Sequence, residues 1–236
     1  MFIALPKAVL TEPAPAATAE ARGAQLTAAF TRWLGRAEFF TAALITLVAV
    51  ALHVRFVTHV GGLWRDETNS VNLANLASFA EIWRNLDFDS FPILFFAVLR
   101  TWTAMWGMEN DAALRALGCM TGLAIIAVLW VNARTMGARW PVLAIALVGL
   151  NPMIIRYGDS TRAYGLGILL ILLTIRSIWR VVDPAAAVTA RRVAVAALCA
   201  LLSVQCLSYN SVLLLAISAG AAAVALRARA WSRIGL

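Results

Sequence analysis

Acidic residues are scarce in this chain, 12 among 236 positions against 20 Lys and Arg, and charged residues of both signs reach only 14%. Soluble domains carry about a quarter charged residues, so a water-facing globule is excluded. Histidine is limited to His53 and His59, which flank the end of an apolar run and lack a nearby third ligand. The three cysteines, Cys119, Cys199 and Cys206, lie inside apolar runs without C-x-x-C spacing. No metal centre is therefore expected, and the cysteines read as small core residues. The net charge of +8 is not gathered into one basic stripe, which argues against nucleic acid. Period-two alternation is missing, so nothing resembles the strands of a membrane barrel. Residues 1–30 offer no basic region ahead of an apolar core, and hence no convincing signal peptide.

What is present in quantity is apolar sequence, 62% of all positions. Runs of about 16 to 20 apolar residues recur, the length that crosses a hydrocarbon core as helix. Candidate spans are 39–58, 116–133, 140–157, 163–179, 193–209 and 211–226. The expected class is an all-α polytopic membrane protein of about six spans. Residues 1–37, with Glu12-Pro13-Ala14-Pro15, are expected as a mobile cytoplasmic tail preceding the membrane domain 38–236. A seventh apolar run, Phe91 to Gly107, carries Arg100, which is costly in a lipid-facing span. If this run lies in the interface instead, the Arg clusters after the spans, together with Lys7, Arg22, Arg32 and Arg36, all fall on the inner side. The clusters are Arg134/Arg139, Arg176/Arg180, Arg191/Arg192 and Arg227/Arg229/Arg233. The positive-inside rule favours that arrangement, with Trp102 and Trp106 as headgroup anchors and the N-terminus cytoplasmic. A plasma (inner) membrane location is expected.

The topology leaves a large outer loop over 59–111, which opens on Trp64-Arg65-Asp66-Glu67. Two adjacent carboxylates beside a bilayer are costly unless solvated, paired or used. Asp66 reads either as a helix cap or as a functional carboxylate, with the helix dipole favouring its ionised form as a general base. Residues 67–84 have the spacing of one amphipathic helix, Leu73, Leu76, Ala80 and Trp83 on one side and Asn69, Asn72 and Asn75 on another. Asn151-Pro152 is expected to kink the third span. Beyond it, Arg156-Tyr157-Gly158-Asp159-Ser160-Thr161-Arg162-Ala163-Tyr164 places two arginines around one carboxylate on the same side as Asp66. Such a loop either binds an anion such as a phosphate or pairs its own charges.

In this order of elements the chain resembles the membrane-embedded C-type (GT-C) glycosyltransferases that use polyprenyl-phosphate sugars. Protein O-mannosyltransferases and aminoarabinose transferases (glycosyltransferase family 39-like) are among them. That family has a first span, a W-x-D-E motif, an amphipathic helix, a Pro-containing apolar stretch ending in Gly, and an Arg at the next span. Here these stand as Trp64 to Glu67, Phe91-Pro92-Ile93-Leu94, Gly107 and Arg115. The later motif, Pro then Tyr-x-x-E/D-x-x-R-x-Tyr, stands as Pro152, Tyr157, Asp159, Arg162 and Tyr164, with the acid one place early. The likeness runs from about residue 38 to 180. It implies a GT-C helical bundle with Asp66 as catalytic base and Glu67 as its companion. Asp159, Arg162 and Tyr164 would line the cavity near the lipid phosphate, with Arg65 or Arg156 offsetting charge. Where many relatives have His-Pro-Pro-Leu this chain has Phe91, so Asp89 and Ser90 are expected to supply polarity there.

The resemblance further implies a polyprenyl-phosphate sugar as donor, a lipid, glycan or protein as acceptor, and no obligatory cofactor or metal. Members of the family usually have many more spans, so the chain reads as the N-terminal part of the fold, with a second chain as one source of the remainder. Two rivals stand beside this reading. One is a transporter, for which Arg100, Arg115 and the Asn151-Pro152 break would be the intramembrane elements. The other is a non-catalytic or truncated membrane subunit that keeps the motif.

Overall fold

The computed structural model describes residues 15–89, 91–183, 185 and 187–227. Among these, helices and turns are the only regular structure. Lys7, Ser90, Arg229 and Arg233, and the side chain of Arg22, lie outside what is described. The chain divides into two compact units after Phe40.

The first helix, α1 (Pro15–His59), begins at a proline, whose missing N–H is no loss in the first turn. The tail expected over 1–37 is therefore helical from Pro15 onward. Alanine at positions 16, 17, 19, 21 and 24 explains this, being the strongest helix former. The first unit's part of α1 exposes Leu26, Phe30, Trp33 and Phe40.

The second unit, Thr41–Leu236, contains every residue singled out by the motifs. After α1 come α2 (Arg65–Ala74) and α3 (Phe79–Arg84), a short 3-10 turn Leu86–Phe88, α4 (Ile93–Trp106) and α5 (Asp111–Thr135). Next are α6 (Val142–Ala144), a π-helical turn Ile145–Gly149, α7 (Pro152–Gly158), α8 (Ala163–Val182), α9 (Ala190–Cys206) and α10 (Asn210–Arg227). Helix α8 is the centre of this unit, packed against α5, α7, α9 and α10.

Among the described residues four helices are long and apolar enough to cross a membrane: Gly23–His59, Asp111–Thr135, Ala163–Val182 and Asn210–Arg227. The other two segments expected to span behave differently. The run 140–157 is broken, because Asn151 caps a new helix, its side chain accepting from Met153 N at 2.9 Å, and Pro152 begins it. Proline here restarts a helix rather than kinking one. The run 193–209 falls on α9, which has 17 residues and ends at Cys206.

The amphipathic stretch 67–84 also departs from expectation, being two helices instead of one. Backbone pairing stops at Asn75, and Ser78 caps α3 by accepting from Glu81 N at 3.2 Å. The break turns Ala80 and Trp83 outward and buries Ile82 in their place. Val71, Leu73 and Ile82 then pack with Phe91, Phe95, Phe96 and Leu99 against Leu114, Ala163 and Cys206. One apolar core thus seats the loop helices α2 to α4 on α5, α8 and α9.

Helix α4 has 14 residues, a length of about 21 Å at 1.5 Å per residue, short of a hydrocarbon core of about 30 Å. Its Arg100 is not left unpaired, and its guanidinium stacks 5.2 Å from the Phe79 ring centroid. The guanidinium donates to the carbonyls of Ala74 (3.1 Å), Leu76 and Ala77 (3.4 Å) at the C-terminal end of α2. A cation on the last carbonyls of a helix also suits its dipole. Of the two expected anchors, Trp106 is exposed, whereas the Trp102 indole donates inward to Ala113 O at 2.9 Å.

Candidate functional site

Both ends of α2 are held by other elements. At its C-terminal end, Arg100 is joined by Thr103, whose hydroxyl donates to Asn75 Oδ1 at 2.9 Å. At its N-terminal end the anchor is Glu67, 4% exposed. Its carboxylate accepts from Trp64 N at 2.7 Å, from Thr161 N at 2.9 Å and from Arg115 Nη1 at 2.6 Å. Arg115, also buried, donates its other amino group to Gly62 O at 2.7 Å. One carboxylate therefore ties the start of α2 to α5 and to the loop before α8. In this pair Arg115 Nε alone is buried without a partner among the described residues. A buried pair of this kind fixes geometry, and losing one partner strands a charge.

Asp66 stands one residue earlier in the first turn and faces outward, so it is not the cap residue. Among the described residues its carboxylate has no hydrogen bond or ion pair; only its backbone carbonyl is used, accepting from Arg162 Nη1 at 2.9 Å. Two cavities meet at this point. One, of about 610 Å³, is lined by Arg65, Asp66, Thr68, Asn69, Asn72, Asp89 and Arg162. The other, of about 480 Å³, is lined by Asp66, Glu67, Arg115, Arg156, Tyr157, Arg162 and Tyr164 among others. Asp66 and Arg162 are common to both.

Arg162 is held in place from several sides. Its Nη2 lies 3.6 Å from Asp89 Oδ1, and its guanidinium stacks 4.6 Å from the Phe91 ring centroid. Asp89 in turn accepts from Ser70 Oγ at 3.2 Å. Phe91 continues into an edge-on aromatic series with Tyr164 (5.0 Å) and Tyr157 (5.6 Å from Tyr164). Phe91 thus carries a ring that orients an arginine by cation–π attraction.

Asp159 is the site residue that the structure sets apart. It lines neither cavity and meets neither Arg156 nor Arg162; the loop does not pair its own charges around it. Its side chain is 0% exposed and both oxygens lie 2.7 Å from His53 Nδ1 on α1. Burial raises the carboxyl above its ordinary range, while the hydrogen bond and charge of His53 act the other way. Gly118 and Gly122 make room for this pair: a Cβ at Gly118 would strike the Asp159 backbone carbonyl, and one at Gly122 would strike both side chains.

Arg65, Asp66, Glu67, Asp89, Arg162 and Tyr164 are therefore brought together around two adjoining cavities, and Asp159 braces the loop from behind. Sequence reasoning passed over His53, Ser70 and Thr161. For His53 a signal existed, since an ionisable residue inside an apolar run calls for a partner. Among the described residues no group of three or more His, Cys, Asp or Glu is placed to hold a metal ion. No protein-family model matches the chain, and neither a curated protein nor a solved structure is significantly similar to it.

Proposed function

We propose that the chain is a membrane glycosyltransferase that moves a sugar from a polyprenyl-phosphate donor to a lipid, glycan or protein acceptor. The observation that carries this reading is the unpaired Asp66 carboxylate at the shared edge of two cavities, beside an arginine. A carboxylate that no other group of the fold occupies is free to take a proton from a bound substrate. Asp66 accepts the proton of the acceptor hydroxyl or amine as its oxygen or nitrogen bonds to the anomeric carbon. The bond from that carbon to the donor phosphate breaks on the opposite face, so the centre inverts. The departing polyprenyl phosphate is a stable anion and needs no proton. Arg162, with Arg65 or Arg156, offsets its charge. On this reading the site faces the outer side of a plasma (inner) membrane, the N-terminus is cytoplasmic, and about six spans form a GT-C-like bundle.

The test is transfer of labelled sugar from a panel of polyprenyl-phosphate donors by membranes that contain the chain, with Asp66→Asn alongside. Because the carboxylate has no partner, the substitution forfeits no more than its favourable place at a helix N-terminus, about 0.3–1 kcal/mol. Transfer that disappears in a folded Asp66→Asn protein supports the reading. Transfer unaffected by the substitution removes Asp66 from the mechanism. Absence of transfer from both proteins, correctly inserted and offered a broad donor panel, favours the alternative of a non-catalytic or truncated membrane subunit.

A further inference from the structure

A third cavity, of about 360 Å³, lies between the end of α1 and α7. Its walls are apolar. Leu52, Phe56 and Val60 recur every fourth residue on α1 and so share one face, and Leu150, Pro152 and Ile155 stand opposite. Its polar lining is Arg55, His59 and Arg156, with no carboxylate. Among the described residues neither guanidinium has a hydrogen bond or ion pair; Arg156 only stacks 5.8 Å from the Tyr157 ring centroid. On the same helix Leu44 and Val48, which precede Leu52 in the same four-residue series, are exposed, so the groove continues an apolar surface suited to lipid. Apolar walls with an unneutralised cationic mouth match a molecule that has a hydrocarbon chain and an anionic head.

We infer that this groove binds an anionic phospholipid of the surrounding bilayer, its phosphate on Arg55 and Arg156 and an acyl chain along Leu52, Phe56 and Ile155. Free phosphate would use the arginines and leave the walls empty. An acidic peptide would find no backbone partners, because helix backbones satisfy themselves. The lipid's head would then sit beside the cavity that holds Asp66, since Phe56, Val60 and Arg156 line both spaces. The inference does not depend on sugar transfer.

The experiment is native mass spectrometry of the purified full chain taken from mixed micelles of phosphatidylglycerol and phosphatidylcholine. The expected result is preferential retention of one phosphatidylglycerol. The double variant Arg55→Gln/Arg156→Gln should weaken that retention by at least about tenfold, in keeping with two basic residues at an anionic headgroup. Arg55→Lys/Arg156→Lys should keep most of it. Leu52→Trp, which fills the groove and leaves both charges, should also lose the lipid. Equal retention of the two lipids by the wild type overturns the inference without any variant. So does phosphatidylglycerol retention that survives the Gln pair. Retention that survives Leu52→Trp but is displaced by inorganic phosphate would mean an anion site only, and overturns it as well.

Discussion

His53 Nδ1 lies 2.7 Å from both carboxylate oxygens of Asp159, although the two residues are 106 positions apart. The pair joins α1 to the loop between α7 and α8, and it does so across the glycine face of α5. The same loop supplies Thr161 to Glu67 and Arg162 to the cavities, so its position governs the whole candidate site.

Removing one member of the pair should be costly. His53→Leu leaves the Asp159 carboxylate buried without its partner, and Asp159→Leu does the same to the imidazole. Each should lose about 3–5 kcal/mol of stability, while His53→Leu/Asp159→Leu should lose clearly less than the two together. Chemical denaturation in detergent, run as a double-mutant cycle, measures this. Strict additivity would mean that the two side chains are not coupled.

The glycines beneath the pair should be intolerant of the smallest side chain. Gly118→Ala would drive a methyl into the Asp159 backbone carbonyl, which has no rotamer by which to retreat. Gly122→Ala meets the His53 and Asp159 side chains, which have somewhat more freedom. Overpacking of this kind typically costs about 1–3 kcal/mol. Both variants should lower the thermal midpoint, Gly118→Ala by more. Gly220→Ala, inside α10 with open space around it, is the control and should not destabilise, with a gain of up to about 1 kcal/mol because alanine is the better helix former.

These contacts mark where sequence reasoning stops. The absence of period-two alternation and the apolar runs predict helices, and the segments 116–133, 163–179 and 211–226 fall within α5, α8 and α10. Trp64 to Glu67 are expected at a helix start, and they begin α2. Each of these is a property of one local stretch. The break at Asn75 to Ser78 is less legible, because the apolar spacing runs through it and only capping chemistry and Arg100 decide it. The pairing of Asp159 with His53, instead of with Arg156 or Arg162, is a tertiary choice. Nothing in the loop's own residues expresses it.

Arg100 offers a separate check on α2. Its hydrogen bonds to three carbonyls close the C-terminal end of that helix, and bonds to a charged donor are worth about 1.5–3 kcal/mol. Arg100→Ala should therefore fray residues 73–77 and speed amide hydrogen exchange there. Exchange within α5 and α8 should stay unchanged. Arg100→Lys should restore part of the protection, since a single ammonium reaches fewer carbonyls. Uniform exchange in all three proteins would remove Arg100 from the support of α2.

Glu67 connects the scaffold to the proposed chemistry. Its carboxylate accepts from Trp64 N, Thr161 N and Arg115, and so holds three elements at one point. The carboxylate of its neighbour Asp66 has no such partners among the described residues, and it owes its direction to the turn that Glu67 fixes. Glu67→Gln keeps an acceptor for one or both backbone amides but removes the charge facing Arg115. The fold should survive with reduced stability, and kcat for sugar transfer should fall more than KM changes, because Asp66 is displaced while the cavity linings remain. Arg115→Lys should act in the same direction, as one ammonium cannot hold both Glu67 and Gly62 O in the guanidinium's geometry. Steady-state kinetics with the labelled donor separate the two constants. Full kcat in a folded Glu67→Gln protein would show that Asp66 needs no such support, and the connection between scaffold and site would have to be sought at Arg162 instead.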